Sequence, residues 1–230
     1  MDLVLIPGFW LDGSSWSGVT PALEAAGHTV HPLTLPGLEA VDAARSGITL
    51  RDHVDAVIEA VDALTEPVVL IGHSGGGAIA WAVADARPDR IARIVYVDSG
   101  PLPHGGVIND ELPGEHGEVP LPDWSAFEGE LADFTEETLA QFRARAIPQP
   151  ERVTSDKQVL SDERRYAVPA TVITTTFPEA KLREMLEQGH SYFAELAKVE
   201  HFEVVELPTS HWPQFTKPDE LAELIVAALR

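Results

Sequence analysis

Gly72-His73-Ser74-Gly75-Gly76 follows the apolar run Val68–Ile71 and precedes the helical stretch Ala78–Ala82. A serine hydroxyl is a poor nucleophile until it is exposed and a base can take its proton. A strand, a tight glycine-flanked turn and a helix supply that exposure. The hydroxyl then stands at the carboxyl end of a strand, beside helix-terminal N–H groups. Chain segments crowd such a bend, so residues without bulk must flank the serine. Ser74 is the candidate nucleophile; a glycine-rich turn that merely links strand to helix is the plainer alternative.

The base should be a histidine, and there are nine. His211 lies in Pro208-Thr209-Ser210-His211-Trp212-Pro213, after the strand-like run Phe202–Leu207 and before the last helix. A loop that follows a strand places it at the same sheet edge as Ser74, and the order serine then histidine suits the motif. His73 adjoins Ser74 in sequence, where neighbouring side chains point apart, so a structural role is expected for it.

A carboxylate is needed to hold the imidazole's tautomer and stabilise its cation. Asp98, which ends the run Ile91–Val97, is the preferred acid, and Glu179, which follows Ala170–Thr176, is the alternative. The N–H groups of Phe9 and Gly75 are the expected donors to a tetrahedral oxyanion. Trp10, Trp124, Phe127 and Trp212 are candidate pocket walls, although seating in the core explains large aromatics equally well. His104, His116, Glu111, Glu115 and Glu118 match no metal-ligand spacing, so no metal site and no cofactor are expected.

Positioning these groups requires a parallel sheet. Short apolar runs alternate with helical patterns, as in α/β proteins with both sheet faces covered. Six strands are expected: Leu3–Ile6, His28–Leu33, Val68–Ile71, Ile91–Val97, Ala170–Thr176 and Phe202–Leu207. Thr49 and Asp52 have the spacing of a capping box before a helix that carries Val54, Val57, Ile58 and Val61. Residues 101–166 break the rhythm and read as a mainly helical cap without a clear strand, inserted into a core of residues 1–100 and 167–230. Its one readable helix begins near Thr135.

Composition narrows the partners. The chain has 230 residues, of which 44% are apolar, enough for one domain with a sizeable core. A net charge of −21 repels nucleic acid and anionic membrane surfaces. With no cysteine, disulfides and thiolate catalysis are excluded. No stretch is long enough to span a bilayer, and no signal peptide is readable, so a cytoplasmic protein is expected. A homodimer is compatible with the sequence, which does not specify oligomeric state.

Together, Pro7-Gly8-Phe9-Trp10, Gly72–Gly76, the cap and Ser210-His211-Trp212-Pro213 resemble the α/β-hydrolase superfamily. The compact start is similar to the small branch of plant methyl-ester esterases and hydroxynitrile lyases. The resemblance implies a mostly parallel sheet with a helical cap. It also implies a serine hydrolase acting on a small, largely apolar carboxylic ester or lactone through an acyl-enzyme. The family's usual acid position has no aspartate here, but some related dehalogenases carry the acid where Asp98 stands. Hydroxynitrile lyases of this branch have a lysine directly after the catalytic histidine, whereas this chain has Trp212, which disfavours cyanohydrin cleavage. Carbon–carbon bond hydrolysis, lyase chemistry and a non-catalytic small-ligand receptor remain the alternative functions on such a fold.

Overall fold

The computed structural model describes residues 1–230. Eight strands and eight α-helices follow in chain order. They are β1 (Asp2–Ile6), α1 (Thr20–Ala25), β2 (Thr29–Pro32), α2 (Leu50–Asp62), β3 (Val68–His73), α3 (Gly75–Ala86) and β4 (Ile91–Val97). Then come β5 (Glu118–Val119), α4 (Glu136–Arg145), β6 (Gln149–Pro150), α5 (Glu151–Ser155), β7 (Ala170–Thr174), α6 (Glu179–Glu187), β8 (Phe202–Glu206), α7 (Pro213–Thr216) and α8 (Pro218–Ala228).

Six strands form one parallel sheet in the order β2-β1-β3-β4-β7-β8. The chain leaves β1 toward one edge and β3 toward the other, which opens a crevice at their carboxyl ends. Period-two alternation sends Leu3, Leu5, Val69, Ile71, Val95 and Val97 to one face, beneath Leu23 of α1 and Leu221 and Ile225 of α8. Val4, Ile6, Val68, Leu70, Ile94 and Tyr96 face the other way, toward Val54, Val57 and Val61 of α2 and Ile79, Trp81 and Val83 of α3. Because both faces are covered, the strands read as unbroken apolar runs. Helix α2 starts as its sequence predicts: the Asp52 N–H donates to Thr49 Oγ1 at 3.1 Å, and the Thr49 N–H donates to the Asp52 carboxylate at 2.8 Å.

The strand ends differ from expectation where the chemistry begins. β3 continues through His73, so Ser74 is delivered at the sheet edge itself. β7 stops at Thr174, two residues early, because the Thr175 and Thr176 N–H groups leave the ladder and donate to Asp98 Oδ1 at 2.8 and 3.3 Å.

The long connection from β4 to β7 holds the residues expected to be a helical cap. Helix α4 begins after Thr135, whose hydroxyl accepts the Thr138 N–H at 3.2 Å. No other α-helix of this connection exceeds the five residues of α5, and most of it is irregular. It also contains strands, contrary to the sequence reading: β5 and β6 pair antiparallel, Glu118 opposite Pro150 and Val119 opposite Gln149. Two-residue strands are too short to leave a periodic signature. No helix of the chain is long and apolar enough to cross a membrane.

Candidate active site

Ser74 sits between β3 and α3 with φ at +51°, a conformation that costs a non-glycine residue about 1–2 kcal/mol. The surrounding backbone imposes it. The Ser74 N–H donates to the Val97 carbonyl at 3.1 Å, and its own carbonyl accepts from the Gly77 N–H at 2.9 Å and the Ser99 hydroxyl at 2.6 Å. Gly76 lets the bend close against β1: a Cβ there would stand 2.6 Å from the Ile6 carbonyl oxygen and 2.7 Å from that of Pro7. Trp10 and Asp98, just beyond the ends of β1 and β4, also have positive φ, at +64° and +43°. Three strained non-glycine residues thus gather at neighbouring strand ends.

The structure brings His211 to this point. Its Nε2 is 2.8 Å from Ser74 Oγ, and its Nδ1 is 2.7 Å from Asp98 Oδ2. Burial pushes the Asp98 carboxyl up in pKa. The His211 hydrogen bond and charge, with the Thr175 N–H and the Thr176 hydroxyl, more than offset this and bring it down to about 2. An ionised Asp98 can only accept, so Nδ1 carries the proton and the bare Nε2 faces the serine hydroxyl. Glu179, the other candidate acid, opens α6 and accepts from Arg183 Nε at 2.7 Å instead.

The main chain of His211 is held from two sides. Its N–H donates to the Glu130 carbonyl at 2.9 Å, in the β4–β7 connection. Its carbonyl accepts from His73 Nε2 at 2.7 Å. His73 is fully buried, and burial first, then the nearby His211, lower its pKa to about 3, so it stays neutral with the proton on Nε2. Its bare Nδ1 accepts from Gln214 Nε2 at 3.3 Å. The expected structural role of His73 thus has a definite form, a brace on the loop that carries His211.

Gly75 opens α3, so its N–H has no acceptor within the helix. The Phe9 N–H has no partner in the chain. The two residues touch: a Cβ on Gly75 would stand 2.7 Å from Phe9 Cε1. Both N–H groups thus lack an acceptor within the chain, and the Phe9 ring packs on Gly75, next to the serine. Trp10 anchors the Phe9 loop, donating from Nε1 to the Val119 carbonyl at 3.0 Å and accepting at its own carbonyl from the Ile147 N–H at 3.0 Å. The short β5–β6 ladder thereby helps to hold the Phe9 loop.

Above these groups opens a cavity of about 620 Å³ lined by Phe9, Trp10, Phe127, Ser74, Asp98 and His211 among others. Trp124 and Trp212 lie outside its wall. Trp212 is buried and gathers Trp124, Phe127, Phe134 and Phe142 around it, with ring centroids 5.2–6.4 Å away. These two tryptophans seat the β4–β7 connection on the core, the competing role that the sequence had offered for them. Of the acidic and histidine residues of that connection, Glu118 pairs with Arg45 at 2.8 Å, His104 accepts the Leu160 N–H at 3.1 Å, and His116 lies 3.5 Å from Glu115 at the exposed surface.

Residues 3–224 match the alpha/beta hydrolase family. The chain belongs to that family. Among its relatives, a pyrethroid hydrolase of Sphingobium wenxiniae is 26% identical over 97% of this chain and 86% of its own length. A carbendazim hydrolyzing esterase of a Nocardioides species is 28% identical over 98% of both chains. A pimeloyl-[acyl-carrier protein] methyl ester esterase of Klebsiella pneumoniae is 31% identical over 69% of this chain and 57% of its own. An extracellular alpha/beta-hydrolase from a Paenibacillus species superposes with a TM-score of 0.80 at 22% identity, covering 99% of this chain and 98% of that one. That last likeness speaks for the fold.

One wall of this hydrolase's cavity has no counterpart in the sequence reading. His190, Tyr192 and Phe193 line it from the segment after α6, with Leu182 and Met185 of α6 itself. The signal that could have found them is topological, since a segment entered from the carboxyl end of a sheet strand borders the crevice.

Proposed function

We propose that this alpha/beta hydrolase cleaves a neutral, largely apolar carboxylic ester or lactone through an acyl-enzyme on Ser74. The observation that carries the reading is the relay of 2.8 and 2.7 Å from Ser74 through His211 to Asp98, at the floor of an apolar cavity. His211 Nε2 takes the hydroxyl proton as Ser74 Oγ attacks the carbonyl carbon. Asp98 stabilises the imidazolium, and the Phe9 and Gly75 N–H groups hold the oxyanion. The Nε2 proton passes to the leaving alkoxide, which departs as the alcohol. Water then gives a proton to His211 as it attacks the acyl-enzyme, and the acid is released with Ser74 restored.

The preference for neutral substrates follows from the lining. Asp98 and Glu130 border the cavity, and no lysine or arginine does. An anionic substrate meets no fixed counter-charge there, and the carboxylate product is repelled on formation. The β4–β7 connection then acts as the cap that shapes substrate choice. Relatives named for hydrolysing pyrethroids and methyl esters support ester chemistry.

A fluorophosphonate probe with mass-spectrometric site mapping tests the reading. Ser74 should be labelled, Ser74→Ala should not react, and His211→Ala should react at least a hundredfold more slowly, as expected on losing a general base (roughly 10²–10⁴-fold). Folded wild-type protein that forms no adduct at Ser74 would remove the proposal.

A further inference from the structure

We propose that the substrate carries a large apolar group on both sides of its scissile ester bond. This deepens, and rests on, the ester-hydrolase reading. Two cavities meet at Ser74 and His211. The first, of about 620 Å³, has Trp10, Leu112, Phe127, Leu182 and Met185 as walls of its own. The second, of about 520 Å³, has Ala78, Pro101, Leu102, Pro103, Val107 and Leu196. Ile108 and Phe193 border both, as do Ser74, Asp98 and His211.

The oxyanion donors are divided in the same way. Phe9 borders only the first cavity and Gly75 only the second. A carbonyl oxygen held between their N–H groups places the reacting carbon at the junction. Its acyl and alkoxy substituents leave that carbon in different directions, one into each arm. Each arm falls within the usual size of a ligand pocket, about 300–1,000 Å³. Apart from Asp98, His190, Tyr192 and His211 at the junction, the second arm has no ionisable side chain, and the first has only Glu130. A methyl ester would leave one arm without apolar contact. Each methylene buried there should raise kcat/KM about fourfold.

Two ester series test this. One lengthens the acyl chain from acetate to octanoate on a fixed small alcohol, and the other lengthens the alcohol from methyl to octyl on a fixed acyl group. The wild-type enzyme should climb both series severalfold per methylene until an arm is full. Leu112→Trp and Val107→Trp each fill one arm from half-buried positions outside the catalytic groups. Each should flatten a different series by tenfold or more at its long end and leave the other series as in wild type. Leu112→Phe and Val107→Phe serve if a tryptophan variant does not fold. A wild-type enzyme that climbs only one series overturns the two-armed site, as does equal damage to both series from either variant. Probe labelling of Ser74 separates the two ideas: labelled protein with one flat series loses only the second arm, whereas unlabelled wild-type protein loses the hydrolase reading itself.

Discussion

The bend that carries Ser74 and the loop that carries His211 meet at the Ser74–His211 and His73–His211 hydrogen bonds but are held in place by different means. The bend is fixed largely by main chain, with the Ser99 hydroxyl on the Ser74 carbonyl. Val97 and Gly77 bond its backbone, and the Ile6 and Pro7 carbonyls close over Gly76. The loop is fixed largely by partners far away in sequence: His73, Glu130 and Asp98 hold His211, and Asp133 holds Thr209. The position of Ser74, the proposed nucleophile, is therefore set by the main chain of the central strands, whereas that of His211, the proposed base, requires three segments, two of them through side chains, to agree. The first should fail only together with the fold, and the second should fail while the fold survives.

Asp98→Asn is the largest test of that difference. An amide at this position can hold the wrong imidazole tautomer, so kcat should drop by roughly 10³–10⁴-fold. Thermal unfolding and the circular dichroism spectrum should stay close to wild type. Glu179→Gln should leave kcat unchanged, since that side chain is occupied with Arg183 at the surface. Equal losses in steady-state assays of the two variants would transfer the acid's role away from Asp98.

Gly76→Ala attacks the other region and should invert the pattern. Its Cβ would meet two carbonyl oxygens at 2.6 and 2.7 Å, and both belong to backbone that cannot swing aside. A loss of about 3 kcal/mol is expected from such overpacking, read as a lower urea midpoint at unchanged slope. A variant as stable as wild type would show that the bend is softer than its contacts imply.

The same contrast explains which parts of the molecule were legible in the sequence. The Gly72–Gly76 motif, the six strands and the capping box at Thr49 are local patterns, and each reads out directly because neighbours in sequence create it. The early end of β7 does not, since Thr175 and Thr176 leave the ladder for a carboxylate seventy-seven and seventy-eight residues away. Trp212 looks like a pocket wall from its place beside His211. Only the tertiary packing of Trp124, Phe127, Phe134 and Phe142 shows that it faces the other way, into a buried cluster. The β5–β6 ladder pairs residues about thirty apart through two residues each, too little for any periodicity to register.

Acid should loosen the brace between the two regions. His73, at about 3, and His53, at about 4, are both lowered from 6.5, chiefly by burial. Between those values and 6.5 the unfolded chain binds protons that the folded chain refuses. Their stabilising effect is complete above about pH 6.5 and is lost as pH falls toward the folded values. Each neutral histidine should cost about 1.4 kcal/mol of stability per pH unit over that range. His53 donates from Nε2 to the Pro36 carbonyl at 2.9 Å and has no part in the active site. His53→Gln should therefore remove one histidine's share of the slope in urea titrations from pH 6.5 to 4.5, leaving neutral-pH catalysis as it was. A slope identical to wild type would assign the acid sensitivity to other groups.

The smallest expected effect concerns the grip of the β4–β7 connection on the His211 loop. The Thr209 hydroxyl donates to the Asp133 carboxylate at 2.9 Å, the Thr209 and Thr216 hydroxyls are 2.8 Å apart, and those of Thr216 and Ser210 are 3.1 Å apart. The Trp212 N–H ends the row on Ser210 Oγ at 3.1 Å. The Thr216 hydroxyl also donates to the Trp212 carbonyl at 3.3 Å, so the row closes back on the His211 loop. Asp133 keeps this place at φ +65° despite being non-glycine, which marks a residue held by its partners. Its side chain is half exposed, with Lys217 Nζ 3.7 Å away, so solvent screens the charge and the contribution is modest. Asp133→Ala should lower kcat threefold to tenfold with KM nearly unchanged, a loss of about 1 kcal/mol typical of one such bond. Asp133→Asn, which retains an acceptor, should recover most of it. If alanine lowers the melting temperature but leaves kcat at the wild-type value, the contact only seats the β4–β7 connection. His73, Asp98 and the Glu130 carbonyl would then position His211 without help from Asp133.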